Sequence, residues 1–129
     1  ANQRFIPLFK FQDLELNKFV DNKGNLNGKF EDEIVFPAHC ANLYAVEIMD
    51  NNLNPIYRCG DRLIVCAQCP IRRGDRLVMK TSRGIMACEL VNQSANRMEC
   101  KNLANQHILI LSVAEIDWMA RIFWTEYGL

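Results

Sequence analysis

The residues best suited to chemistry in this chain are six cysteines, Cys40, Cys59, Cys66, Cys69, Cys88 and Cys100, and two histidines, His39 and His107. Cysteine becomes a nucleophile or a metal ligand once it is a thiolate, and histidine is a base near neutral pH. Cys66-Ala67-Gln68-Cys69 has CxxC spacing, which brings two sulfurs to one turn and would suit a metal- or redox-responsive binding module. No second paired-cysteine or histidine element accompanies it. Cys66 closes an apolar run and Cys69 precedes Pro70, so the better reading is a strand leaving into a turn. Cys88 with His39 or His107 would make a cysteine-dependent hydrolase. Against that, Cys88 lies inside an apolar run beside Glu89, and both histidines sit among loop formers. The cysteines are read as mostly reduced thiols acting as small buried hydrophobes in a cytoplasmic protein, and neither a metal nor a cofactor is expected. Ser82, Ser94 and Lys80 are read as turn polarity and surface charge.

The elements that must position these residues are short. From Glu33 onward apolar runs alternate with turn signals at intervals of about ten residues, the rhythm of a small barrel or sandwich. The runs are Ile34-Val35-Phe36, Leu43 to Ile48, Arg62 to Cys66, Arg76 to Lys80, Ile85 to Leu90, Arg97 to Lys101 and Ile108 to Leu111. Gly60-Asp61, Arg73-Gly74-Asp75 and Ser82-Arg83-Gly84 supply turns, and the last makes Arg76 to Leu90 a hairpin. In the final run, Ile116, Trp118, Ala120, Ile122 and Trp124 share one face at period two, which assigns both tryptophans to the core. Phe123 and Tyr127 are left as candidate interface residues. The expected class is mainly β, a partly open barrel of short strands and hairpins over 30–129. Residues 1–29 read as an N-terminal arm or linker, with Leu14, Leu16, Phe19 and Val20 compatible with either a short helix or an extended arm.

Fifteen basic and fifteen acidic residues leave no net charge, so the chain carries no electrostatic footprint for DNA. No apolar run reaches the roughly 18 to 20 residues of a membrane span, and the first residues lack the basic-then-apolar order of a signal peptide. The opening on Ala1 creates the expectation of a fragment or processed product.

Taken in order, the pieces resemble the LexA and lambda-repressor C-terminal family, self-cleaving peptidases with a Ser-Lys dyad. The family motif runs from an apolar strand through Gly-Asp-Ser-Met-x-Pro to Gly-Asp and a second strand. Here Tyr44 to Ile48 is followed by Asn51-Asn52-Leu53-Asn54-Pro55 and then Gly60-Asp61. Gly74-Asp75 is similar to the next strand entry, Ile85 to Leu90 to the strand bearing the lysine, and Lys101-Asn102-Leu103-Ala104-Asn105 to a later turn. The resemblance implies that Asn52 stands at the serine and Cys88 at the lysine, with Leu53 and Pro55 beside the vestigial cleft. An amide is no nucleophile and a thiol does not replace a lysine as base, so the resemblance implies a non-enzyme. No small residue before glycine offers a cleavage site between Leu16 and Lys29.

The resemblance further implies a homodimerising half of a phage repressor. Its helix-turn-helix would lie upstream and make every DNA contact, and an antirepressor protein or a peptide would be a candidate ligand of the cleft. The same alignment implies that Asn52 and Cys88 face each other across that cleft.

Overall fold

The computed structural model describes residues 3–15, 32–37, 42–67 and 69–128. Nine strands form one mixed sheet: β1 (Gln3–Lys10), β2 (Asp32–Pro37), β3 (Leu43–Glu47), β4 (Arg62–Cys66), β5 (Arg76–Thr81), β6 (Gly84–Gln93), β7 (Arg97–Asn102), β8 (Ile108–Ser112) and β9 (Ile116–Glu126). Their order across the sheet is β2-β1-β3-β4-β9-β5-β6-β7-β8. The mainly β expectation holds, and the sheet ends in two edges, β2 and β8, without closing into a barrel. Among the described residues no helix is long and apolar enough to cross a membrane.

Every run anticipated from Ile34 to Leu111 coincides with a strand, except that Ile48 lies one residue past the end of β3, because short apolar stretches bounded by turn formers bury a face only by pairing laterally. The β5–β6 hairpin closes between Thr81 and Gly84. Gly84 sits at φ +106°, and Thr81 Oγ1 donates to the Gly84 carbonyl while accepting from the Arg83 N–H. A positive φ there is inexpensive only for glycine.

Apolar side chains cover both faces. One face carries Tyr44, Val46, Leu63, Val65, Val78, Ala87 and Ala120. The other carries Ala45, Ile64 and Cys66 toward β1 and Leu77, Met79, Cys88 and Cys100 toward β8. Such double burial accounts for β3 and β4 reading as continuous apolar runs and not as strict alternation. Within 1–29, β1 lies inside the sheet, antiparallel to β2 and parallel to β3. A 3-10 turn, Phe11–Glu15, follows with Leu14 buried. Leu16, Phe19 and Val20, like the rest of that segment, lie outside the described residues.

The last strand departs from its expected pattern. Trp118 is buried, but Trp124 is 57% exposed. Opposite β4 the register shifts, so that Ile64 faces Trp124 while Val65 faces Ile122. Phe123 is the extra residue of a bulge, and one inserted residue sends everything after it to the opposite face. Trp124 therefore leaves the core to which period two assigned it.

β4 and β5 begin alike. Arg58-Cys59-Gly60-Asp61-Arg62-Leu63 and Arg72-Arg73-Gly74-Asp75-Arg76-Leu77 share an Arg-x-Gly-Asp-Arg-Leu pattern. Both glycines have positive φ, +97° and +90°. In each turn the aspartate carboxylate accepts the arginine N–H, at 2.9 Å from Arg58 and 2.8 Å from Arg72, while the aspartate N–H returns to the arginine carbonyl. Asp61 does more. It is 1% exposed, and its second oxygen accepts the N–H of Gly128 at 2.8 Å, tying the residues after β9 to the entrance of β4.

Candidate functional site

A cleft of about 280 Å3 opens where the turn after β3 meets β6 and the 3-10 turn. Ile48, Met49, Asp50, Asn52 and Leu53 form one side, and Ile85, Met86 and Ala87 the other. Phe11, Gln12 and Glu15 close one end and Asn102 and Ala104 the opposite one. The turn bearing Asn52 is built by its own asparagines. Asn51 Oδ1 accepts the Cys59 N–H, the Asn51 carbonyl accepts the Asn54 N–H, and the Leu53 carbonyl accepts from both Ile56 and Tyr57. The Asn54–Pro55 peptide is cis.

Polar groups at the mouth are engaged with one another. Asp50 accepts from the Asn52 N–H at 3.0 Å, from Asn52 Nδ2 at 3.0 Å and from Gln12 Nε2 at 2.9 Å. Glu15 accepts the Ile85 N–H at 2.6 Å. β7 first pairs with β6 at Cys88, so the Glu15 carboxylate takes up a backbone donor of β6 beyond the reach of β7. The 3-10 turn is thus strapped over the cleft at both sides.

The residues expected at the site from the sequence separate here. Asn52 and Leu53 line the cleft. Pro55 is exposed and does not line it. Cys88 does not face Asn52. Successive residues of a strand point to opposite faces: Ala87 lies on the cleft face, while Met86, which borders the cleft, packs on the other face with Cys88. Cys88 is fully buried on the far side among Leu77, Met86, Leu90 and Cys100. The position aligned with the lysine is one residue out of phase with the pleat.

A hydrogen bond with Cys100 and burial together push the Cys88 thiol far above the usual thiol range, the opposite of what a nucleophile needs. His107 is exposed in the turn before β8, its N–H held by Asn105 Oδ1. Cys88, fully buried within its apolar cluster, is not paired with it, and His39 lies outside the described residues. Lys80 reaches Asp117 at 4.0 Å, while Ser82 and Ser94 are exposed.

The cysteines differ among themselves. Cys59, Cys88 and Cys100 are free, in line with thiols. Cys66 and Cys69 are joined in a disulfide, which departs from the expectation of mostly reduced cysteines at that pair. Cys40 lies outside the described residues. Among the described residues no group of three or more histidine, cysteine, aspartate or glutamate side chains could hold a metal ion.

A second, shallower groove follows the bulge of β9. Phe123, Trp124 and Tyr127 are 37%, 57% and 65% exposed, and Tyr57, Arg76 and Glu89 share the groove with them. Arg76 lies 5.7 Å from the centroid of the Tyr57 ring, and Phe36 contacts Phe123 edge to face. Both residues expected at an interface are therefore on the surface, and Trp124 joins them. Sequence reasoning missed Gln12, Glu15 and Asp50. Asp50-Asn51-Asn52 offered a turn signal, whereas nothing in the sequence announced that a segment before β2 would reach β6.

Compared with known proteins, the chain matches no family model and no curated sequence.

Proposed function

We propose that this chain is the C-terminal dimerisation and regulatory half of a phage-type transcriptional repressor, built on the plan of a Ser-Lys self-cleaving peptidase and unable to cut. One observation carries the reading. The turn after β3 and the strand β6, the two elements expected to bear nucleophile and base, form the two sides of one cleft, with Asn52 and Ala87 on them. Among the described lining residues there is no serine, threonine, cysteine, lysine or histidine. The two carboxylates, Asp50 and Glu15, accept protein hydrogen bonds. Acyl transfer by a Ser-Lys dyad needs a hydroxyl nucleophile and an amine base in reach of each other, and this lining supplies neither.

In this reading the cytoplasmic repressor contacts DNA through a helix-turn-helix upstream and dimerises through the aromatic surface of Phe123, Trp124 and Tyr127. Exposed aromatic area of that kind suits an interface core. Dimerisation holds two DNA-binding heads at the spacing of a two-fold operator, and the second head then binds from a high effective concentration. The strapped cleft is the surface offered to an antirepressor protein or peptide.

Incubation at alkaline pH, which drives self-cleavage in a Ser-Lys peptidase by deprotonating the lysine, is expected to leave the chain at full length on a denaturing gel. A discrete fragment whose appearance is first order and independent of protein concentration would overturn the non-cleaving reading.

A further inference from the structure

Cys66 ends β4 and is 4% exposed, packed with Ile6, Leu43, Ala45 and Ile64. Cys69, three residues on, is half-buried at the margin of the same cluster, and its Cα lies 5.6 Å from that of Cys66. The two sulfurs of this pair thus differ in access. The segment they bridge is also anchored on both flanks. The Ala67 N–H donates to the Asn42 carbonyl, and Arg121, the cross-strand neighbour of Cys66, donates to the Pro70 carbonyl at 3.3 Å. Beyond it Cys69, Pro70 and Ile71 form a wall of a cavity of about 490 Å3 whose far side includes Met98, Trp118 and Met119.

A bridge across so short a loop restricts the unfolded chain little compared with one closing a long loop. Its effect is local, on the segment between β4 and β5 and on the cavity that segment walls.

We propose that Cys66 and Cys69 are a reversible thiol–disulfide site that reacts with low-molecular-weight disulfides of the glutathione type and whose state sets the order of the cavity wall formed by Ala67, Cys69, Pro70 and Ile71. Cys69, the less buried of the two, reacts first. Its thiolate attacks one sulfur of oxidised glutathione, the glutathione disulfide bond breaks, and one glutathione thiolate leaves. The Cys66 thiolate then attacks Cys69 Sγ in the mixed disulfide, closing the protein disulfide and releasing the second glutathione thiolate. The two protons lost by the cysteines are taken up by the two glutathiones, so dithiol plus oxidised glutathione becomes disulfide plus two reduced glutathiones. Reduction runs the same steps backward, with attack again on the less buried sulfur. This site is independent of the reading of the cleft and of dimerisation.

The test equilibrates the full chain in buffers of graded reduced-to-oxidised glutathione ratio, quenches in acid, alkylates and maps peptides by mass. Cys66 and Cys69 are expected to pass together from alkylated to bridged in one two-electron transition, while Cys59 stays free of any bridge to them. Rapid quenching after addition of oxidised glutathione to reduced protein should catch the adduct on Cys69 and not on Cys66. The Cys66→Ser variant should accumulate that adduct, and Cys69→Ser should form at least tenfold less on Cys66. Amide exchange across residues 66–71 should be at least tenfold slower in the bridged protein. Alkylation of both cysteines at every ratio, an adduct on Cys66 first, or equal exchange in the two states would overturn the proposal. The quench and exchange measurements use the unmodified chain, so they decide the matter even where a Cys66→Ser variant fails to fold.

Discussion

Asp61 and Asp75 occupy the same position in two copies of one turn, which makes each the control for the other. Asp61→Ala removes two charge-assisted hydrogen bonds, from the N–H groups of Arg58 and Gly128, in a site 1% exposed. Asp75→Ala removes one, from the Arg72 N–H, in an exposed turn. A hydrogen bond to a charged group contributes about 1.5–3 kcal/mol when buried, and less where water replaces the lost partner. Arg58 is exposed and Gly128 half-buried, so part of the loss at Asp61 is recovered by solvent. The expected cost is about 3 kcal/mol for Asp61→Ala and about 1 kcal/mol for Asp75→Ala. For a chain of this length each kcal/mol lowers the melting temperature by about 3–4 °C, giving drops of about 10 °C and 4 °C. Urea unfolding followed by tryptophan fluorescence measures both. Equal costs, or a larger cost at Asp75, would refute the claim that the buried carboxylate fastens the end of β9 to the entrance of β4.

Three further outcomes follow from the geometry. Tyr44→Phe should raise stability by up to about 1 kcal/mol in the same assay, since the Tyr44 hydroxyl is buried with no hydrogen-bond partner among the described residues and an unpaired buried group is costly; a loss of more than about 1 kcal/mol would show that the hydroxyl is satisfied. Ala87→Lys should cost less stability than Cys88→Lys: both positions are buried, but Ala87 borders the cleft, toward which a long side chain can bend, whereas Cys88 is enclosed by an apolar cluster away from it; urea unfolding of both variants separates the two registers, and the reverse order would restore Cys88 to the cleft. Glu15→Ala should leave the Ile85 N–H unpaired and speed its amide exchange by at least tenfold at a stability cost of about 1–2 kcal/mol, and unchanged exchange would show that the strap is not held there.

Much of the sheet was legible because its strands are short apolar runs punctuated by glycine and aspartate, and the β5–β6 hairpin was legible because Ser82-Arg83-Gly84 is turn chemistry. The side of the cleft formed by Asn52 and Leu53 was legible for a similar reason, since asparagines and a proline over Asn51 to Pro55 force the chain to turn directly after β3. What was hidden depends on single-residue phase. A strand buried on both faces gives no polar alternation to fix which residues point where, so Ala87 and Cys88 are exchangeable in the sequence and stand on opposite sides in the sheet. A bulge has the same effect on Trp124, because an inserted residue leaves no mark in the hydrophobic pattern of β9. The strap of Gln12 and Glu15 and the Asp61–Gly128 tie join residues far apart in sequence, and such contacts are set by tertiary packing alone. The CxxC was visible at once, and the disulfide it forms in the fold was not.

The claim on which the functional reading turns is that this chain associates with itself through the surface around the β9 bulge. Sedimentation equilibrium over a range of protein concentrations, on the unmodified chain and on a Phe123→Ala, Tyr127→Ala variant, measures it directly. The expected result is a reversible dimer that the double substitution weakens at least tenfold without loss of folded signal. A chain that stays monomeric at the highest concentration, or a dimer indifferent to both substitutions, would contradict the proposed role.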